Sequence, residues 1–137
     1  MAGENIGIVV SEFHEDITLK MLEVAKGHIE FLDARVAKVI NVPGTYDVPL
    51  AAKRLLEDKK IDGVVTIGAV IEGDTDHDIV VINVAAKKLA DLSLQYGKPV
   101  ALGISGPKMT RMEAMERIEG FGKRGAESCI KMIRRLR

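Results

Sequence analysis

Short apolar runs alternate along this chain with longer stretches in which apolar residues recur every third or fourth position. The first run, Asn5-Ile6-Gly7-Ile8-Val9-Val10, is β-branched and has no polar alternation, as expected of a strand buried on both faces. Ser11 to Asp16 breaks it. Ile17, Met21, Ala25, Ile29 and Leu32 then follow at helical spacing, with Lys20, Glu23, Lys26 and Glu30 between them. That predicts an amphipathic helix with Asp16 as its N-cap. Residues 34–42, rich in Val and Ile, read as a second strand, stopped by Pro43 and Gly44. Pro49 suits the first turn of a second helix, whose apolar face is Leu50, Ala51, Leu55 and Leu56.

Residues 61–69 predict a third strand, and Asp78 to Tyr96, free of Gly and Pro, a third helix. Gly97-Lys98-Pro99 ends that helix, 100–104 reads as a fourth strand, and Ser105-Gly106-Pro107 as loop. Thr110 with Glu113 three residues on forms a capping box for a last helix. Gly120, Gly122 and Gly125 predict a kink or break before residues 126–136. Met109, Met112 and Met115 share helical spacing and read as packing residues. Alternating strands and helices imply right-handed crossovers and a parallel sheet. The expected fold is therefore α/β: a flavodoxin-like three-layer sandwich, with a four-stranded parallel sheet flanked by helices on both faces. It would form one domain over residues 1–137.

In such a sheet ligands sit above the strand C-termini, and the unusual loop residues fall there. The most informative stretch is Gly68 to His77, where a buried strand turns into a helix. Free backbone N–H groups at such a turn favour an anion. Gly73 permits close approach, Asp74 and Thr75 are cap-type residues, and His77 adds a titratable imidazole. Each residue also has a plain structural reading. The Gly-Asp-Thr turn could be capping chemistry alone, and His77 could be simply exposed. Phe13 is either a stacking platform or a rim residue of the core. Asp47 either meets ligand hydroxyls or caps the second helix. Arg117 by itself reads as a solvated helix face.

Composition narrows the classes. Twenty basic and twenty acidic side chains cancel, so no global field draws the chain to nucleic acid or an anionic membrane. No apolar stretch reaches the roughly 18 residues of a membrane helix, and the acidic start does not read as a signal peptide. The one cysteine, Cys129, leaves no internal disulfide and no multi-cysteine metal site. It fits a reducing, cytoplasmic compartment and reads as a buried, inert thiol. Periodicity and spacing thus reach an α/β domain with an anion-friendly site, and no further.

Several segments, in order and over nearly the whole chain, resemble the lumazine synthase family. They are Ser11-Glu12-Phe13-His14, Val42-Pro43-Gly44-Thr45-Tyr46-Asp47-Val48-Pro49-Leu50-Ala51-Ala52-Lys53, Gly68 to His77, Asp91 to Val100, Glu116-Arg117 and Gly125-Ala126-Glu127. The resemblance implies condensation of 5-amino-6-(D-ribitylamino)uracil with 3,4-dihydroxy-2-butanone 4-phosphate to give 6,7-dimethyl-8-ribityllumazine, phosphate and water, in riboflavin biosynthesis. It implies no metal or redox cofactor. It makes His77 the acid/base group, and gives the phosphate to Gly73, Asp74, Thr75 and Arg117. Phe13, Thr45, Tyr46, Asp47, Ala69, Val70, Ile71 and Leu102 would hold the pyrimidine and its ribityl chain.

Compared with the family pattern, His14 replaces the usual Asn, Asp47 the usual Glu, Glu72 the usual Arg and Leu102 a common Phe. His14 thereby becomes a further candidate. Either Lys123 or Arg124 stands at the family's ligand-facing lysine. These departures are similar to archaeal members. The resemblance also implies a homo-oligomer, a pentamer with active sites between subunits. The short last loop favours assembly into a sixty-subunit icosahedral shell. Two other readings are an archaeal-type riboflavin synthase and a non-catalytic lumazine- or flavin-binding shell protein. The Gly-Asp-Thr-x-His turn argues against the first, which releases no phosphate. His77 together with Arg117 argues against the second.

Overall fold

The computed structural model describes residues 3–73 and 77–137. At its centre lie four parallel strands in the order β2-β1-β3-β4, formed by Arg35–Val42, Asn5–Ser11, Gly63–Ile71 and Val100–Met109 respectively. The apolar runs explain the order. Every residue of β3 is buried and so are six of seven in β1, because helices cover both faces of these inner strands. β2 takes one edge and exposes half its length. The sandwich expected from the sequence is present.

Helices α1 (Glu15–Phe31) and α5 (Ile118–Leu136) cover one face, and α2 (Val48–Glu57) and α3 (Asp78–Tyr96) the other. Alternation along β3 divides the core. Val65, Ile67, Ala69 and Ile71 face α1 and α5 with Ile6, Ile8, Val10, Ile17 and Met21. Val64 and Val70 join Val9, Leu55, Ile82 and Ile104 on the α2–α3 side. A three-residue 3-10 turn, Thr45–Asp47, leads into α2. Among the described residues no helix is long and apolar enough to cross a membrane.

Four local expectations are corrected. His14, not Asp16, is the N-cap of α1; it sits in the left-handed region at φ 61°, and Asp16 falls in the first turn. β4 does not end before Ser105 but runs to Met109, with a register shift that still pairs Met109 with Ile71. The chain there passes against the Val70 carbonyl at Gly106, φ 114°, where no side chain would fit. The last helix divides at Arg117, into α4 (Arg111–Glu116) and α5, and continues through all three glycines. Gly122 lies against Val24 and Gly125 against Gly103, so at these two positions close packing outweighs the roughly 1 kcal/mol of helix propensity a glycine forgoes. Met109 is buried as expected, but Met112 and Met115 are exposed. The capping box is present: Thr110 Oγ1 accepts from Glu113 N and Glu113 Oε1 from Thr110 N, both at 3.1 Å.

Candidate active site

Strand β1 sends its connection to α1 on one face, while β3 sends its own to α3 on the other. Where neighbouring connections part in this way, a parallel sheet opens a crevice above its strand ends. A cleft of 220 Å³ lies there, with Phe13, Thr45, Tyr46, Ala69 and Val70 on its walls. Gly44, Asp78 and Val81 complete the lining.

Each wall follows from local sequence. Phe13 stands just past β1 and is 53% exposed. Thr45 and Tyr46 come from the 3-10 turn; Thr45 is buried and Tyr46 forms an exposed rim. Asp47 Oδ2 accepts the Gly44 N–H at 3.1 Å, so its carboxylate shapes the 3-10 turn; Asp47 is the N-cap residue of α2, but its side chain makes no cap bond to that helix. Period-2 alternation points the Val70 side chain into the cleft's face of the sheet. Ala69 and Ile71 point the other way, Ile71 into the α1–α5 core. Near the cleft Ile71 can offer only backbone. Gly73 has a left-handed φ of 89°, which favours glycine. Asp74 and Thr75 lie outside the described residues. His77 follows as the exposed N-cap residue of α3, and its carbonyl accepts from Val81 N at 2.8 Å.

The remaining candidates are not brought into this cleft within one chain. Leu102 shares the cleft's face of the sheet, in register with Thr66, but sits on edge strand β4 and is 48% exposed. Arg117 joins α4 to α5 on the opposite side, its N–H 3.2 Å from the carbonyls of Glu113 and Ala114. Lys123 pairs with Glu119 at 2.7 Å, which holds the Glu119 carboxyl below its ordinary range. Arg124 lies 5.9 Å from the Phe121 ring centroid. His14 stands beside the cleft, its ring edge-on to Phe13 with centroids 4.6 Å apart.

Sequence reasoning missed Asp78 and Val81 as cleft residues. Their signal was available: they stand three apart in the first turn of a helix entering from the anion-friendly loop. A larger groove, 430 Å³, runs between the C-terminal ends of α3 and α5, lined by Leu94, Met132 and Leu136. It lies at the opposite end of the sheet, and its one charged side chain, Lys98, is spent on the carbonyls of Leu56 and Asp58. Among the described residues no three His, Cys, Asp or Glu side chains converge as a metal site.

A doubly wound parallel sheet with an apolar, aromatic-walled cleft at its switch point defines a flavodoxin-like domain. Residues 3–137 match the family model described as 6,7-dimethyl-8-ribityllumazine synthase. Curated proteins of that name are similar throughout. That of Methanothermobacter thermautotrophicus is 58% identical over 132 residues, 96% of this chain and 94% of the relative. That of Methanoculleus marisnigri is 61% identical over 131 residues, 96% of each chain. That of Methanocaldococcus jannaschii is 56% identical over 133 residues, 97% of this chain and 94% of the relative. The chain belongs to the 6,7-dimethyl-8-ribityllumazine synthase family, a family of transferase-type enzymes.

Proposed function

We propose that this chain condenses 5-amino-6-(D-ribitylamino)uracil with 3,4-dihydroxy-2-butanone 4-phosphate in the cleft at the β1–β3 switch point, as a step of riboflavin biosynthesis in the cytoplasm. The observation that carries the assignment of the cleft is that the half-exposed Phe13 ring and the apolar Val70 line one cleft with Asp78, at the N-terminus of α3. That is a slot for a flat heterocycle with an anion-friendly helix end next to it.

Phe13 stacks on the pyrimidine. Thr45, Tyr46 and Asp47 place the ribityl chain, while the backbone at Ala69, Val70 and Ile71 meets the ring edge. The turn that opens at Gly73 takes the phosphate. The amine of the pyrimidine adds to the ketone carbonyl and a first water is lost. Phosphate leaves by elimination, giving an enol that tautomerises to a new carbonyl, and the second amine adds there with loss of a second water to close the ring. These steps need placement and repeated proton transfer more than a strong nucleophile. His77, the residue before the cleft-lining Asp78, is the proton carrier.

The phosphate's second partner is Arg117, whose planar fork suits its oxygens. On one chain Arg117 lies across the sheet from the cleft, so we assign it, with Leu102 and either Lys123 or Arg124, to the site of a neighbouring subunit in a pentamer. Apolar residues left exposed on α3 beside the cleft support such a neighbour: Ile79, Val80 and Val84 are 41, 57 and 39% exposed. Pentamers would in turn assemble into an icosahedral shell. The test is to mix purified protein with both substrates and follow lumazine fluorescence and free phosphate. Phosphate release no faster than the spontaneous reaction overturns the enzymatic reading. Light scattering separates monomer, pentamer and shell.

A further inference from the structure

Two segments 97 residues apart meet at His14, the residue that follows Phe13. His14 is held left-handed at φ 61°, ψ 50°, a region uncommon for any residue but glycine and more tolerant of His than of most. Its carbonyl accepts from Ile17 and Thr18 at 2.9 and 3.0 Å, so the same residue both reverses the chain and opens α1. Arg111, the first residue of α4, donates from Nη1 to His14 Nδ1 at 3.0 Å and from Nη2 to the Asp16 carboxylate. A guanidinium has only donors, so His14 Nδ1 is the acceptor of this bond. Arg111 is itself anchored. The Thr110–Glu113 capping box fixes the start of α4, and Met109 O accepts the Glu72 N–H at 2.8 Å, at the end of β3.

We propose that Arg111 is a positioning residue for Phe13: by gripping His14 and Asp16 together it holds the left-handed turn that presents the Phe13 ring to the pyrimidine. Arg111 does not line the cleft; it acts through the His14 ring, which meets Phe13 edge-on. A purely stabilising role accounts poorly for the arrangement. Arg111 and Asp16 are 46 and 55% exposed, and an ion pair so placed contributes little to stability. What the fork does fix is the direction of one turn. The inference rests on the reading of Phe13 as the pyrimidine's stacking partner, and the experiment separates the two.

Steady-state kinetics would be measured for the wild type, Arg111→Gln, Arg111→Lys, Phe13→Ala and the Phe13→Ala/Arg111→Gln double variant, with each melting temperature. Arg111→Gln should raise KM for the pyrimidine about threefold to tenfold, leaving kcat and KM for the phosphorylated ketone within about twofold. On the Phe13→Ala background the same change should add nothing, because the ring it positions is gone. Arg111→Lys, which keeps the charge but not the fork, should fall between. An unchanged pyrimidine KM in Arg111→Gln, or an equal rise with and without Phe13, overturns the positioning role. If Phe13→Ala leaves the pyrimidine KM unaltered, the stacking assignment fails instead. A melting temperature lowered in Arg111→Gln without a KM split makes the residue structural and also overturns the proposal.

Discussion

Glu4 and Arg134 stand 130 residues apart and form a two-pronged ion pair, with Arg134 Nε 3.0 Å from Oε2 and Nη2 2.9 Å from Oε1. Arg137 Nη2 adds a contact to Oε2 at 3.1 Å, and Arg134 also reaches the Leu32 carbonyl at 2.5 Å. One carboxylate, its side chain 4% exposed, thus ties the chain just before β1 to the ends of α1 and α5. Removing Arg134 leaves that carboxylate with part of its partners gone, which costs more than the pair's net contribution. Arg134→Ala is therefore expected to lose about 1–3 kcal/mol in denaturant unfolding. Glu4→Gln keeps the shape and some of the hydrogen bonding and should lose less. Equal stability of Arg134→Ala and wild type would show the clamp to be idle.

The same pair sets a pH dependence. The Arg134 hydrogen bonds hold the Glu4 carboxyl below its ordinary range. A carboxyl whose folded value lies below its unfolded one stabilises the fold above the unfolded value, about 4.3 for Glu. That stability is lost as pH falls through the folded value. Wild type should exceed Glu4→Gln by a constant margin between about pH 6 and 8, and the margin should shrink below about pH 4. Glu113, held low by the Thr110 N–H, and Glu119, held low by Lys123, shift the same way, but they are present in both proteins and cancel. A margin that widens in acid would contradict the assignment.

Two glycines two residues apart in α5 should respond in opposite directions to alanine. A Cβ at Gly122 would stand 2.8 Å from Val24 Cγ1 and 3.0 Å from the Met21 carbonyl, whereas nothing lies within 4 Å of one at Gly120. Gly122→Ala must push α5 off α1 and should destabilise by about 1–3 kcal/mol. Gly120→Ala relieves the unfolded chain of entropy and should gain about 0.5–1 kcal/mol. Paired thermal melts decide it; equal shifts would mean that α1 and α5 do not approach as described.

That contrast shows where the sequence could be read and where it could not. The four apolar runs give the strands, and the 3.6-residue spacing gives α1, α2 and α3, because burial on two faces or on one stripe imposes those periods on composition itself. Nothing in the local sequence distinguishes Gly122, which packs, from Gly120, which does not, since the difference lies in Val24 of a distant helix. The left-handed turn at His14 was hidden for the same reason: Arg111, which helps to hold it, lies 97 positions away. At the cleft, Phe13 and Thr45 were legible as residues at strand ends, whereas Val70 was named only through the family resemblance. Arg117, Lys123 and Arg124 carry charge that a sequence cannot place relative to a cleft on the other face of the sheet.

Cys129 should be silent to thiol reagents. It is 1% exposed, and burial pushes its thiol up to about 12, with Asp62 adding in the same sense. The thiolate is the reactive form, so a colorimetric disulfide reagent at pH 8 should label native protein far more slowly than protein unfolded in denaturant. Rapid labelling of the native form would place Cys129 outside the core.

The assignment of His77 and Arg117 to one site but two subunits can be tested by complementation. His77→Ala alone should slow turnover about 10–100-fold, the low end for a lost acid–base group, because the uncatalysed condensation is itself feasible. Arg117→Ala alone should chiefly raise KM for the phosphorylated ketone, as loss of a charged phosphate contact does. Each site in a ring would take His77 from one chain and Arg117 from the next. In a heterologous interface of that kind, random mixing of the two variants at equal amounts should leave about one site in four with both wild-type residues. Mixing folded variants that do not exchange subunits should restore nothing, whereas co-refolding them should restore roughly that fraction of wild-type activity. If co-refolded mixtures stay at the average of the two variants, His77 and Arg117 do not meet across an interface. The phosphate must then be held by groups of a single chain.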